Sequence, residues 1–360
     1  MVPANAWGFP TGGSQPLQPA QYSVIRHSAT AAARPAAAPD APPGSGLRNP
    51  GMPLDLDTVR GARVNRSAAD HRAATLITRR SVKKEWQAGW LLRAVTMIDL
   101  TTLAGDDTEG RVRRLCGKAR RPVRSDLLGA LAVPASEVKA AAVCVYHTLV
   151  PAACDALGGS GIPVAAVSTG FPAGLSPFAT RLTEIRESVA AGAEEVDVVI
   201  TRGSVLRGGW ERLYDEVAGF RDACGDAHMK VILGVGELGT LANVKRAATV
   251  AMMAGADFVK TSTGKETVNA TLPVGIILAR AIRDYHRATG IRVGLKAAGG
   301  LKTARDALSW LILVKEELGD AWMDARLFRI GASSLLADIE RQLEHHVTGR
   351  YSAFHRHPLG

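Results

Sequence analysis

The chain has 360 residues, of which 46% are hydrophobic and 22% are charged, which is typical of a globular protein and argues against a fibrous or wholly disordered one. The formal net charge is +10, but residues 1–95 hold 12 Lys or Arg against 5 Asp or Glu, while the remainder is nearly balanced at 32 against 29. The basic surplus is therefore local, and it favours a solvated helix face over binding of nucleic acid or a membrane.

Composition divides the chain into four segments. Residues 1–52 are rich in Ala, Pro, Gly and Ser, and such a segment cannot bury enough apolar surface to offset its ordering entropy, so we predict a disordered tail. Residues 53–93 turn polar and helical, and they predict a helical extension that packs on the main domain. Residues 94–345 are expected to form that domain, and residues 346–360 a C-terminal tail.

From residue 94 onward, short apolar runs alternate with amphipathic helical stretches. The predicted strands are 95–100, 142–146, 164–168, 195–200, 230–234, 257–261, 292–296 and 327–331. Runs that are apolar almost throughout are typical of parallel strands covered on both faces. Eight such strands alternating with helices predict an α/β fold of the (β/α)8 TIM-barrel type. A doubly wound open sheet is the main alternative, but no Gly-x-Gly-x-x-Gly follows the first strand, which disfavours a dinucleotide site.

Two lysines end neighbouring predicted strands. Lys260 lies at the end of the sixth strand and Lys296 at the end of the seventh, and the carboxyl ends of barrel strands meet at one mouth. Crowded ammonium groups repel each other and burial disfavours charge, so both effects lower a lysine pKa. A neutral amine can attack a carbonyl carbon. The pair therefore predicts Schiff-base chemistry, whereas a lone lysine would be interpreted as one that extends to the rim.

Other polar residues fall on other strands of the predicted barrel. Asp197 lies inside the fourth strand, where its carboxylate can pair with one of the lysines and shuttle a proton. Asp99 lies at the end of the first strand and Thr101 follows it; the Asp99 carboxylate could hydrogen-bond to substrate hydroxyls or to Thr101, or take part in catalysis. Cys144 lies on the second strand, and because no histidine partner is indicated we interpret it as a packed thiol at the substrate site rather than a nucleophile.

Three glycine-containing turns follow strands six, seven and eight. They are Thr263-Gly264-Lys265, Ala298-Gly299-Gly300 and Gly331-Ala332-Ser333-Ser334. Glycine lets the backbone approach a ligand closely, and N–H groups at the start of a helix point toward an anion. One such turn could be only a turn, but several at adjacent strand ends, beside Lys265, predict a phosphate site.

Cysteine usage adds an expectation about the compartment. The cysteines are Cys116, Cys144, Cys154 and Cys224, which form no Cys-x-x-Cys pair and no set with zinc spacing. Few scattered thiols in a long chain suit a reducing compartment, so we expect a cytoplasmic protein. No apolar run could span a bilayer and no secretory signal is evident. A transit peptide in residues 1–39 is the weaker alternative to a plain tail.

From about residue 82 to the C-terminus the sequence resembles the deoxyribose-phosphate aldolases, and it looks most like the longer animal type. The motifs that carry the resemblance are VKKEWQ, IDLTTLAGDDT, AAVCVY, GFPAG, EVDVVI, GELGTL, DFVKTSTGKETVNAT, KAAGG and FRIGASSLL. The resemblance implies a class I aldolase, without metal or cofactor, that reversibly cleaves 2-deoxyribose 5-phosphate to glyceraldehyde 3-phosphate and acetaldehyde in deoxyribose catabolism.

The resemblance also implies a role for each site residue. Lys260 would form the imine, Lys296 would lower the pKa of Lys260, and Asp197 with Lys296 would move protons through a water. The other implied contacts, most of them to the phosphate, are Asp99, Thr101, Cys144, Gly264, Lys265, Gly299, Gly300, Gly331, Ser333 and Ser334. A tyrosine near the C-terminus joins catalysis in some bacterial relatives, but the ending around Tyr351 differs from theirs.

Two positions depart from the family pattern. Ala297 stands where proline is usual, and Gly236 stands where threonine is common. Neither change removes a reacting group, so activity is expected. The alternatives are another reaction on the same barrel, such as an isomerase or an aldolase for a different phosphosugar, and a non-enzymatic barrel whose basic N-terminal region binds a partner. The expected ligands are phosphorylated sugars and aldehydes, and a homo-oligomer is compatible with the sequence.

Overall fold

The computed structural model describes residues 48–358, and within them eight parallel strands close into a barrel. The strands are β1 (Ile98–Thr101), β2 (Ala142–Tyr146), β3 (Val164–Ser168), β4 (Glu195–Val199), β5 (His228–Ile232), β6 (Phe258–Lys260), β7 (Gly294–Ala298) and β8 (Phe328–Ala332). Strand β1 pairs in parallel with both β2 and β8. This closure confirms the TIM-barrel prediction and excludes the open doubly wound sheet.

Helices surround the barrel and precede it. The helices are α1 (Leu56–Gly61), α2 (Arg66–Arg79), α3 (Lys84–Val95), α4 (Glu109–Arg120), α5 (Ser125–Ala130), α6 (Val150–Leu157), α7 (Phe178–Ala190), α8 (Arg202–Leu206), α9 (Trp210–Cys224), α10 (Leu241–Met253), α11 (Leu272–Thr289), α12 (Ala304–Leu318) and α13 (Leu335–Thr348). The apolar faces of α4 to α13 cover the outward-facing strand residues, so the main core is a ring between helices and sheet.

The N-terminal extension packs on one side of the barrel. Helix α2 contacts α11 and α12, and α3 contacts α12 and α13. Arg72 on α2 donates to Glu317 on α12 over 2.9 Å, which ties the extension to the barrel. The predicted first strand, 95–100, began too early because α3 continues to Val95. Buried apolar runs look alike in a helix and a strand at this junction.

The interior of the barrel differs from the apolar strands that the sequence suggests. Charged side chains are buried on its inner face, namely Asp99, Glu195, Asp197, Lys230, Lys260, Lys296 and Arg329. Because side chains alternate between the two faces of a strand, apolar residues between these positions face the helices. The inner face is therefore an ionic layer below the mouth.

Two terminal segments have more structure than expected for tails. Most of the predicted disordered tail, residues 1–47, lies outside the described residues, but residues 48–52 lie against the barrel and Asn49 is 2% exposed. In the predicted C-terminal tail, His357 is buried and its Nε2 lies 2.8 Å from Glu344 Oε2 on α13. Within residues 48–358, no helix is both long and apolar enough to cross a bilayer.

Asn49 makes a dense set of hydrogen bonds, which leads to a test of stability. Its amide nitrogen donates to the carbonyls of Met252 (2.7 Å) and Ala256 (2.9 Å), and its amide oxygen accepts from the Tyr285 hydroxyl (3.1 Å). Asn49→Ala removes all three hydrogen bonds, although the Met252 carbonyl keeps one from the Gly255 N–H at 3.1 Å. The change is expected to lower the free energy of unfolding by about 1–3 kcal/mol. Chemical denaturation of both proteins measures this difference.

The control for that measurement is Tyr285→Phe. It removes one donor, while the Asn49 side-chain oxygen keeps its hydrogen bond from the Gly51 N–H at 2.9 Å. The expected loss is therefore smaller, about 1 kcal/mol. An Asn49→Ala protein as stable as the unmodified chain would contradict the anchoring role of residues 48–52.

Candidate active site

A cavity of about 430 Å³ opens at the mouth of the barrel, between the loops that follow β1, β6, β7 and β8. The sequence-predicted residues that line it are Thr101, Lys260, Gly264, Lys265, Gly299, Gly300, Gly331, Ser333 and Ser334. The closed barrel brings them together because its parallel strands all end at the same rim. Four other predicted residues, Asp99, Cys144, Asp197 and Lys296, lie in the buried layer of the barrel interior and do not line the cavity.

Lys260 and Lys296 share one carboxylate. Their Cα atoms are partners in the β6–β7 pairing, and both Nζ atoms lie 2.7 Å from Asp197 Oδ2. Lys260 is 2% exposed and Lys296 is 0% exposed. The structure therefore brings the two amines together, as expected from the sequence.

The two lysines differ in their electrostatics. Burial lowers the pKa of Lys260, and the Lys296 ammonium lowers it further, against the opposing effect of Asp197. Burial opposes the charge of Lys296 as well, but Asp197 and Asp99, the latter 2.6 Å away, raise the pKa of Lys296 above its ordinary value. The direction at Lys260 is the one expected from the sequence, and the resemblance had already assigned the imine to Lys260 and the charge that lowers its pKa to Lys296. Of the two amines, Lys260 is therefore the one that loses its proton more readily.

Three residues of the ionic layer were not singled out from the sequence. Lys230 Nζ lies 2.6 Å from Glu195 Oε2 and 2.9 Å from Asp197 Oδ1. Arg329 donates to Asp99 Oδ1 (2.5 Å) and to Glu195 Oε1 (2.8 Å). A charged residue at an inward position of a predicted strand was the available signal for all three, because such a residue rarely stays buried without a partner.

The charges of this layer balance when Lys260 is neutral. Three carboxylates (Asp99, Glu195 and Asp197) face three cations (Lys230, Lys296 and Arg329), and Lys260 is the fourth basic group. Burial opposes ionisation of Asp197, but the neighbouring lysines, Lys230 most of all, hold its pKa well below the usual range. Because an uncompensated buried charge is costly, the proton of Lys260 is the surplus one.

Cys144 is a packed thiol within the described structure. It is fully buried and clusters with Ala165 and Val167 on the inner face of the barrel. Burial raises the pKa of Cys144, so its thiol stays protonated near neutral pH. This environment supports the interpretation of Cys144 as a packing residue below the cavity and not a nucleophile.

The outer part of the cavity is positively charged. Lys265 lines it as expected, and so do Lys302 and Arg111, which the sequence argument did not name. Arg111 is partly neutralised by Asp106 (3.2 Å) and Asp107 (3.1 Å). Gly264 lines the cavity, and its N–H donates to Glu266 Oε2 at 3.1 Å, so this amide is already engaged within the loop.

The departures from the family pattern have different consequences. A Cβ at Gly236 would overlap the carbonyl oxygen of Val268, so a threonine there requires the loop after β6 to move. Ala297 is buried in the outer core of the barrel. Tyr351 is 95% exposed and follows α13, which starts at the mouth and extends away from it for about 21 Å. In this conformation Tyr351 is remote from Lys260.

These features define a class: a (β/α)8 barrel with a buried pair of lysines, Lys260 and Lys296, at the base of a cationic cavity. Residues 93–341 match the family described as DeoC/LacD family aldolase. The chain belongs to this family of aldolases.

Individual relatives agree with the family match. The chain is 60% identical over 311 residues to a deoxyribose-phosphate aldolase of Mus musculus, with 86% of this chain and 98% of the relative covered. A crystal structure from Toxoplasma gondii aligns with a TM-score of 0.62 at 21% identity and covers 76% of this chain and 99% of that one. The tetrameric deoxyribose phosphate aldolase of Aeropyrum pernix aligns with a TM-score of 0.55 at 24% identity, covering 78% and 99%. The two structures support the fold alone.

Proposed function

We propose that this chain is a class I aldolase that reversibly cleaves 2-deoxy-D-ribose 5-phosphate to D-glyceraldehyde 3-phosphate and acetaldehyde, in deoxyribose catabolism. The observation that carries the proposal is the position of Lys260, whose amine is buried beside a second lysine and borders a cavity with Lys265 at its outer end. A reactive amine and a cation at two ends of one cavity suit a substrate with an aldehyde at one end and a phosphate at the other.

The proposed reaction starts with the neutral Lys260 amine. It attacks C1 of the open-chain sugar, and loss of water gives a protonated imine. The C3 hydroxyl then loses its proton, the C2–C3 bond breaks, and its electron pair moves into an enamine. The C3 fragment leaves as glyceraldehyde 3-phosphate. Protonation of the enamine at C2 and hydrolysis of the imine release acetaldehyde and restore the amine.

The side chains below the cavity are proposed to move the protons. Asp197 contacts both Lys260 and Lys296 at 2.7 Å, so it connects the imine nitrogen to the Lys296 amine. We therefore propose that Asp197, together with Lys296, moves protons through a water. Such acid–base help is worth roughly 10²–10⁴-fold in rate.

Phosphate binding is assigned to the turns at the outer end of the cavity. The proposed contacts are Lys265, Gly299, Gly300, Gly331, Ser333 and Ser334, all of which line the cavity. Thr101 lines the same cavity, and Asp99 lies in the buried layer of the barrel interior, where it pairs with Lys296. The backbone after β8 enters α13 at Leu335, so the start of that helix adds a favourable dipole for an anion.

A coupled assay tests the function directly. The full-length chain, incubated with 2-deoxyribose 5-phosphate, is expected to release glyceraldehyde 3-phosphate, which a dehydrogenase converts with a change in absorbance. Release of no triose phosphate from this sugar, together with turnover of another phosphosugar, would favour the alternative reaction on the same barrel.

Other aspects of the cellular role are also proposals. We propose a cytoplasmic enzyme whose ligands are small phosphorylated sugars and aldehydes, with no metal, cofactor, nucleic acid or membrane partner. Assembly into a homo-oligomer is compatible with the tetramer of the Aeropyrum pernix protein. The alternative role of a basic N-terminal partner-binding region concerns residues 1–95, and 10 of their 12 Lys or Arg residues lie within the described residues 48–358.

A further inference from the structure

We propose that Glu266 is a positioning residue for phosphate binding, which acts by holding the loop that carries Lys265. The inference rests on the proposed function, since it concerns the phosphate end of the same cavity. Glu266 directly follows Lys265 in the chain but does not line the cavity, whereas Thr263, Gly264 and Lys265 do.

The Glu266 carboxylate occupies an anion site made by its own loop. It accepts hydrogen bonds from the backbone N–H of Thr263 (3.0 Å), the Thr263 hydroxyl (2.8 Å) and the N–H of Gly264 (3.1 Å). Successive N–H groups that converge in this way form a concave site that favours a negative charge. Glu266 therefore supplies an internal anion, and the donors that it engages are not available to a bound phosphate.

These bonds fix the backbone on both sides of Lys265. The Lys265 N–H donates to the Thr263 hydroxyl oxygen at 3.1 Å, so the same hydroxyl joins Glu266 and Lys265. The Glu266 carbonyl accepts from the side-chain amide of Asn269 at 2.7 Å. Lys265 thus lies in a short loop that is closed by hydrogen bonds before and after it.

The loop is also confined between two neighbouring turns. A Cβ at Gly299, after β7, would lie 2.6 Å from the Asn269 side chain, and a Cβ at Gly236, after β5, would overlap the Val268 carbonyl. Both turns therefore approach the loop closely, and its outer half has little room to move. We expect that its inner half, with Lys265, depends on the Glu266 bonds for its placement.

Two effects of Glu266 on a bound phosphate oppose each other. Its charge repels the phosphate, but three donors already engage that charge, and charge-assisted hydrogen bonds are strong. Its bonds also keep Lys265 in one arrangement, which lowers the entropy lost on binding. We expect the second effect to be larger, so loss of the Glu266 carboxylate weakens phosphate binding. If the repulsion were larger, loss of the carboxylate would make phosphate binding tighter.

The experiment compares Glu266→Ala, Glu266→Gln and the control Glu187→Gln, which changes an exposed carboxylate on α7. With 2-deoxyribose 5-phosphate, Glu266→Ala is expected to raise KM about tenfold while kcat falls less than about twofold. Glu266→Gln keeps one carbonyl acceptor, so its KM is expected to lie between the values of Glu266→Ala and of the unmodified chain. Unphosphorylated 2-deoxyribose is expected to show similar kcat/KM in all of these proteins.

A double-mutant comparison shows whether Glu266 acts through Lys265. In a Lys265→Ala background, Glu266→Ala is expected to have little further effect on KM, because the side chain that it positions is gone. If Glu266→Ala raised KM as much in the Lys265→Ala background as in the unmodified chain, the proposal would be overturned. The proposal would also be overturned if Glu266→Ala lost kcat/KM equally with the phosphorylated and the unphosphorylated sugar. A lower KM in Glu266→Ala would overturn it as well.

Binding of inorganic phosphate separates this inference from the proposed function. Calorimetric titration of the unmodified chain and of Glu266→Ala with phosphate needs no turnover, and we expect about tenfold weaker binding in the variant. A chain that binds phosphate with this difference but does not cleave 2-deoxyribose 5-phosphate would refute the proposed substrate and retain the role of Glu266. Equal phosphate affinity in an active enzyme would refute only the role of Glu266.

Discussion

Replacing Lys260 with alanine is expected to abolish cleavage of 2-deoxyribose 5-phosphate, with a loss in kcat on the order of 10⁴-fold or more. The reason is chemical, since the imine cannot form without the amine that borders the cavity. The coupled assay for glyceraldehyde 3-phosphate measures the loss. In the unmodified chain, borohydride reduction in the presence of acetaldehyde is expected to add one ethyl group to the peptide that contains Lys260.

The variant is expected to stay folded, because the remaining ionic layer has equal numbers of carboxylates and cations. Lys260→Met keeps most of the side-chain volume and separates loss of the amine from loss of packing. Substantial turnover in either variant, or an ethyl group trapped on another lysine, would contradict the assignment of Lys260 as the nucleophile.

Replacing Lys296 with methionine is expected to lower kcat/KM about 10²–10³-fold and to change its pH dependence. The Lys296 ammonium lowers the pKa of Lys260, so its removal raises that pKa. Activity that needs a neutral Lys260 is present above this pKa and is lost below it. The acidic limb of the profile of kcat/KM against pH is therefore expected to move to higher pH, which steady-state kinetics over a pH series can measure.

Lys245→Met is the matched control for that experiment. Lys245 lies on α10 outside the barrel and pairs with Asp284 at 2.9 Å, so its loss is expected to leave the profile unchanged. The Lys296 variant leaves Asp99 paired with Arg329, and Asp197 paired with Lys230 and Lys260, which favours folding. An acidic limb that stays in place or moves to lower pH would contradict the electrostatic role of Lys296.

Much of the fold could be predicted from local patterns. The alternation of apolar runs with amphipathic stretches is a property of neighbouring residues, so the eight strands and their order were available without coordinates. The exact junction between α3 and β1 could not be predicted. Buried apolar residues such as Leu92 and Val95 carry no signal that separates helix from strand. The placement of Asn49 was also hidden, since its partners lie more than 200 positions away along the chain.

The candidate site divides in the same way. Lys260, Lys296 and the glycine turns could be predicted because each ends a strand, and barrel topology brings strand ends together. The engaged amide of Gly264 could not be foreseen, since Glu266 is separated from it by one residue and only the folded loop turns the carboxylate back onto the backbone. Lys230, Glu195 and Arg329 were missed because they lie at or before the middle of their strands, away from the carboxyl ends at the mouth, and their partners lie on other strands.

By itself, the sequence determined the barrel, the lysine pair and the glycine-rich cationic rim, because these follow from residue type and spacing along single strands. The resemblance assigned the imine to Lys260, but only the tertiary structure shows why the pKa values of the two amines differ. Lys296 contacts both Asp99 and Asp197, whereas of these two carboxylates Lys260 contacts only Asp197. That difference depends on pairings between β1, β4, β6 and β7, which are distant in the chain and meet when the barrel closes.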